Sequence, residues 1–259
     1  MIEATRSIAE EAARFPTVHL FDIPIKAMTM HQSLDLIHQA ITMRASLHIG
    51  VVNAAKVVNM VRNPLLGKDV RSSDVIFADG ASVVWASRLL KCPLPERVAG
   101  IDLMMGMLAR GTEYGYSVYL LGATEEVNRT VAERIAVDYP GVVVAGRRNG
   151  YFSNDEQEAI ANDIAQANPD ILLVAITSPK KEQFLARWSD RIQVPICHGV
   201  GGSFDVYAGK VKRAPLAWQR SGLEWLYRLF QEPRRMWKRY LVTNSLFCWL
   251  VLKEFFRRV

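Results

Sequence analysis

Asp79-Gly80 closes a short apolar run, VIFA (75–78), and stands just before a helical pattern that begins near Ser82. A carboxylate at that point, partly shielded from water, could take a proton from a sugar hydroxyl; an Asp-Gly turn or a helix cap is the plainer alternative. Gly199, Gly201 and Gly202 follow another apolar run. Glycines there could let the backbone approach a phosphate and turn amide N–H groups toward it, or could simply make a turn. The cluster has neither dinucleotide-fingerprint nor Walker spacing. Asp205, three residues on, fits a ribose contact and a turn cap equally well. Arg97, in PERVAG, lies in a connection where a fixed guanidinium could grip a pyrophosphate bidentately, or stand in solvent.

No two aspartates are two positions apart, and the five histidines have no zinc-ligand spacing, so no metal is expected. A departing nucleoside diphosphate would then have to be met by cations and backbone amides. Arg228, Arg234, Arg235, Lys238 and Arg239 are the candidates.

These residues need a frame. Apolar, β-branched runs at 47–52, 75–78, 118–122, 142–145, 171–176 and 194–198 have the composition of buried strands. Between them run helical patterns over 54–61, 82–90, 102–110, 125–138, 155–166 and 180–191. Such alternation predicts a mainly parallel sheet with helices on both faces. Thr124 before Glu125 and Glu126 reads as a helix start, and Ser153 with Glu156 as a capping box. In such sheets ligands sit beyond the carboxyl ends of the strands. Asn53, Asp79-Gly80, Gly122, Thr177-Ser178-Pro179 and Gly199 to Gly202 all fall there.

The chain has 259 residues and is 50% apolar, enough for a sizeable core. Its three cysteines, Cys92, Cys197 and Cys248, fit a reducing compartment and read as structural. The first residues, MIEATRSIAEEAARF, lack the apolar run of a secretory signal, so export is not expected. The overall charge of +6 hides an asymmetry: residues 209–259 carry +9, the rest −3. That last stretch interleaves Trp218, Leu223, Trp225, Leu226, Leu229 and Phe230 with Arg220, Arg228, Arg234 and Arg235, a pattern suited to an anionic membrane surface or to packing on the core. Its apolar segment 240–252 is too short to span a bilayer but could lie on one. No nucleic-acid motif accompanies the charge. The composition shift places a division near Gly209, between a domain of residues 1–208 and an appendage of residues 209–259 that reads as amphipathic helices with basic faces.

In order along the chain, VVNAAKVV, FADGASVVWASRLL, PERVAGIDL, VYLLGATEE, PDILLVAITSPKKE, GVGGSFDVYAG, KRAP and GLEWLYRLFQEPRRMWKRY resemble the bacterial WecG/TagA/CpsF glycosyltransferases. The resemblance implies a Rossmann-like body and an inverting, metal-independent transfer from a UDP-sugar to a polyprenyl-diphosphate-linked saccharide. It implies a peripheral position on the inner face of the plasma membrane, with anionic lipid as partner and no cofactor beyond the donor. By motif position Asp79 is the implied base, Asn53 a sugar-side group, and Arg97 a pyrophosphate or acceptor contact. Gly80, Gly122, Gly199, Gly201, Gly202 and Asp205 resemble donor-side positions, as do Lys181 and Glu182 of the PKKE segment. Arg228, Arg235 and Lys238 resemble the cations of a closing appendage.

Two positions depart from the family pattern. Val51 stands where a hydroxyl residue is usual, and Lys181 where PKQE has an uncharged amide. Donor choice is therefore not carried over. Two rival readings remain at this level, a Rossmann-type oxidoreductase and a non-catalytic membrane scaffold, and a homo-oligomer is compatible with each.

Overall fold

The computed structural model describes residues 7–258, apart from the side chains of Arg220, Arg235 and Arg239. It opens with α1 (Ile8–Ala13), a hairpin of β1 (Thr17–Leu20) and β2 (Ile23–Lys26), and α2 (Met30–Thr42). Next come β3 (Leu47–Val52), α3 (Ala54–Arg62), α4 (Pro64–Arg71), β4 (Val75–Ala78), α5 (Ala81–Leu89) and α6 (Gly100–Tyr114). Then follow β5 (Ser117–Gly122), α7 (Glu125–Asp138), β6 (Val143–Arg148), α8 (Gln157–Ala167), β7 (Ile171–Ala175), α9 (Lys180–Ile192) and β8 (Ile196–Gly199). The remaining helices are α10 (Ser203–Tyr207), α11 (Leu216–Arg220), α12 (Glu224–Gln231) and α13 (Pro233–Arg258).

Strands β3 to β8 form one parallel sheet in the order β4-β3-β8-β7-β5-β6. Successive side chains point to opposite faces, so each strand feeds two cores. Ile49, Phe77, Leu120 and Leu173 meet α2, α6 and α7 on one side. Val52, Ile76 and Ala78 meet α3, α5 and α13 on the other, where Tyr119, Leu121, Leu172 and Val174 meet α8 and α9. The predicted layering is the observed one.

Five elements in the first 71 residues (α1, β1, β2, α2 and α4) and the short α10 have no counterpart in the sequence reading, and local chemistry explains why the hairpin was missed. The β1–β2 turn puts Phe21 (φ 52°) and Asp22 (φ 59°) in left-handed conformations without the glycine that usually announces such a hairpin. Strand β6 runs on to Arg148 because a sheet-edge strand needs no apolar side chains to pair. The capping box at Ser153 is half present: its N–H donates to Glu156 Oε2 at 2.8 Å, yet α8 starts only at Gln157. Glu156 is also bound to Arg148 at 2.7 Å, which holds residues 154–156 in a turn. Thr124 does cap α7, accepting from Val127 N–H.

Helix α13 has two apolar faces. Phe247 (5% exposed) and Val251 (8%) are buried beside the α3 residues Val57 and Val58, while Trp249 (56%) and Leu252 (53%) face outward. Among the described residues no helix is long and apolar enough to cross a membrane.

Candidate functional site

The crevice follows from handedness of exit. After β3 the chain turns into α3 on one face of the sheet; after β8 it turns into α10, whose Phe204 and Tyr207 join the core on the other. Because β3 and β8 are neighbours, their outgoing helices part and leave a cleft at the carboxyl rim.

Asp79 sits on that rim, half-buried at the end of β4. Asn53 Nδ2 donates to its Oδ2 at 3.1 Å, and the Gly100 amide donates to its Oδ1 at 2.8 Å. Asn53 is itself fixed as the N-cap of α3, its Oδ1 accepting from Lys56 N–H at 3.0 Å. One bond to each oxygen leaves further lone pairs on both, so the carboxylate is oriented and still able to accept a proton. Gly80 caps α5 close against Asn53; a Cβ there would lie 3.1 Å from the Asn53 Cβ.

Gly100 is placed by a residue the sequence reading passed over. His198, fully buried in β8, approaches the Gly100 carbonyl with Nε2 at 3.1 Å. Burial pushes its pKa down to about 4, which keeps the ring neutral near pH 7. The only cue was its place at the end of VPICH, beside the glycine run. Val51, the apolar departure, packs near Gly100 as well; a Cβ on that glycine would stand 3.8 Å from Val51 Cγ2.

Arg97 reaches the same rim, since Val98 N–H donates to the Ala78 carbonyl two residues before Gly100 engages Asp79. Its guanidinium is occupied: Nη1 donates to Glu224 Oε2 at 2.7 Å and Nη2 to Asp102 Oδ2 at 3.2 Å.

Lys181 lies beneath the glycine bend. Its Nζ donates to the Gly199 carbonyl at 3.1 Å and would stand 3.7 Å from a Cβ on Gly201. Burial first, then the Lys56 charge, lowers its pKa to about 8. Glu182 bonds Lys56 and lies 3.7 Å from Lys181; burial opposes its ionisation, but the two ammonium groups prevail and hold its pKa below the usual carboxylate value. Both residues border a cavity of about 20 Å³, roughly one water in size.

The expected amide cradle is only partly available. Val200 and Gly201 N–H groups both donate to the Val174 carbonyl, because the chain folds back over β7 to enter α10. What the glycines provide is room: Gly201 has φ +54°, and a Cβ on Gly202 would stand 3.5 Å from the Arg228 guanidinium. Asp205 lies in α10, its carbonyl accepting from Val211 N–H. Gly122 (φ +126°) crosses so close to Ala175 that a Cβ would fall 2.4 Å from its carbonyl oxygen; the position serves the backbone first. It lies across β7 from the Asp79 end of the sheet.

Residues after 209 cover this rim. Gly222 (φ +70°) packs against α5, where a Cβ would meet the Ala81 Cβ and Trp85 Cζ2 at 2.8 Å. Arg228 therefore arrives over the glycine bend, whereas Lys238 is solvent-exposed on α13 and the side chain of Arg235 lies outside the described residues.

A held carboxylate, cations and glycine bends at the carboxyl rim of a parallel sheet define a Rossmann-like α/β ligand-binding protein. The chain belongs to the glycosyl transferase WecG/TagA/CpsF family, whose model matches residues 18–259. Two relatives carry the name N-acetylglucosaminyldiphosphoundecaprenol N-acetyl-beta-D-mannosaminyltransferase. That of Bacillus spizizenii is 38% identical over 181 residues, 70% of this chain and 69% of the relative. That of Bacillus subtilis strain 168 is 38% identical over 183 residues, 71% and 70% respectively. The protein is thus a sugar-transferring enzyme, and the oxidoreductase and scaffold readings fall away.

Proposed function

We propose that the enzyme moves a sugar from a UDP-linked donor to a polyprenyl-diphosphate-linked saccharide, by an inverting route that uses no metal. Asp79 carries this reading: its carboxylate is aimed by Asn53 and the Gly100 amide at a cleft roofed by cations. There it would take the proton of the acceptor hydroxyl as that oxygen attacks the anomeric carbon, while Arg97, Lys181 and Arg228 meet the charge on the departing UDP. The names of the two relatives support the acceptor class. The outward aromatics of α13 and the +9 charge of residues 209–259 support a peripheral seat on anionic lipid, with that stretch acting as an appendage to the 1–208 body.

A donor panel assayed with a short-chain lipid diphosphate acceptor tests the proposal. Asp79→Asn should lower turnover by about 10²- to 10⁴-fold and leave UDP binding largely intact. Near-normal turnover by that variant would remove the base assignment, and a melting shift with NAD but not UDP would remove the donor class.

A further inference from the structure

Four charges close a ring across the boundary between rim and appendage. Asp102, in the first turn of α6, accepts from Arg97 at 3.2 Å and from Arg213 Nη2 at 2.6 Å. Glu224, in the first turn of α12, accepts from Arg97 at 2.7 Å but stands 3.8 Å from Arg213 Nε, beyond hydrogen-bond reach. That Arg213 Nε is buried without a hydrogen-bond partner among the described residues, and so is Arg228 Nε one turn further along α12. A buried donor left unmet is costly, and both of these belong to arginines of the segment that covers the rim.

The two acids differ in kind. Asp102 belongs to the body, packed where α6 begins, whereas Glu224 arrives on the segment threaded past Gly222. Glu224 presents one planar carboxylate and is about a third exposed, so solvent screens its pairing and leaves it exchangeable. A phosphate offers three tetrahedral oxygens and more charge. It could meet Arg97 and Arg213 together and still reach the donor that Glu224 leaves open.

We propose that Arg213 is an anion-binding residue paired with Arg97, and that Glu224 is a built-in carboxylate filling the pair until the diphosphate of a substrate takes its place. The inference rests on the transferase reading above and deepens it. Removing the carboxylate should strengthen anion binding, whereas a ring that merely docks the appendage would bind anions more weakly without it.

The experiment is calorimetric titration of the full chain with inorganic pyrophosphate, UDP and a short-chain prenyl diphosphate. Glu224→Gln should bind pyrophosphate about tenfold more tightly than the parent, Arg213→Gln about tenfold more weakly, and the double variant should lose the gain. Circular dichroism checks that each variant is folded. A gain with UDP assigns the pair to the donor, and a gain with the prenyl diphosphate assigns it to the acceptor. Unchanged or weaker binding by Glu224→Gln, or no binding to either chain, overturns the proposal. A parent that transfers sugar while Glu224→Gln shows no gain sinks this inference and leaves the transferase reading standing; the expected gain without any transfer does the reverse.

Discussion

The two sides of the cleft are built from different forces. Below, Asp79 is held by a main-chain amide, a helix-capping Asn53 and, one step back, a neutral His198. Above, Arg97, Arg213, Asp102 and Glu224 hold one another by charge. Hydrogen bonds inside a packed sheet fix direction and are little screened by salt, whereas partly exposed ion pairs are weak, screened and exchangeable. The lower side is thus suited to aiming one atom and the upper side to trading one anion for another.

Acid should break the lower side first. Because the buried His198 is held at about 4 against an ordinary 6.5, its contribution is complete above pH 6.5 and is lost as pH falls toward 4. The loss should total about 3 kcal/mol in denaturant unfolding over that window, and His198→Gln should reduce the slope, leaving the share of the half-buried His48, whose pKa desolvation also lowers. A parent profile that stays flat between those values would contradict the role given to the ring.

Gly222→Val attacks the upper side alone. Its left-handed backbone and 2.8 Å approach to Ala81 and Trp85 leave no place for a branched side chain, at a cost of about 1–3 kcal/mol. Trypsin should then cut near Arg213 and Arg228 faster, and transfer should fall while the melting of the sheet changes little. Cleavage as slow as in the parent would show that the appendage is seated by something else.

Asn53→Ala should cost about 1 kcal/mol of stability through the lost cap and also lower kcat, because Asp79 loses one of its two donors. Insensitivity of that kcat loss to salt would sharpen the contrast with Glu224. The smallest effect on folding, within about 0.5 kcal/mol, belongs to Trp249→Gln with Leu252→Gln on the outward face of α13. Sedimentation with anionic vesicles should nonetheless drop; unchanged sedimentation would place the lipid contact elsewhere.

The body of the fold was legible because parallel strands buried on both faces are plain apolar runs: LHIGVV and VIFA match β3 and β4 residue for residue. Asp79, Asn53 and Arg97 were legible as rim residues for the same reason. The hairpin was hidden by its Phe21-Asp22 turn; the helical character of the last segment was legible, but not that one face of α13 puts Phe247 into the core. Gly122 was legible as a special residue, but its nearest neighbour, the Ala175 carbonyl, is supplied by a different strand. His198 and the Arg213–Glu224 pairing were out of reach, since their meaning depends on partners 98 and 11 residues away that only the folded chain brings near.

One consequence of the diverging exits of α3 and α10 concerns motion. Whatever wedges between their first turns is gripped from both layers, so a single small guest touching only strand tips should slow amide hydrogen exchange on the two opposite flanks of the molecule at once.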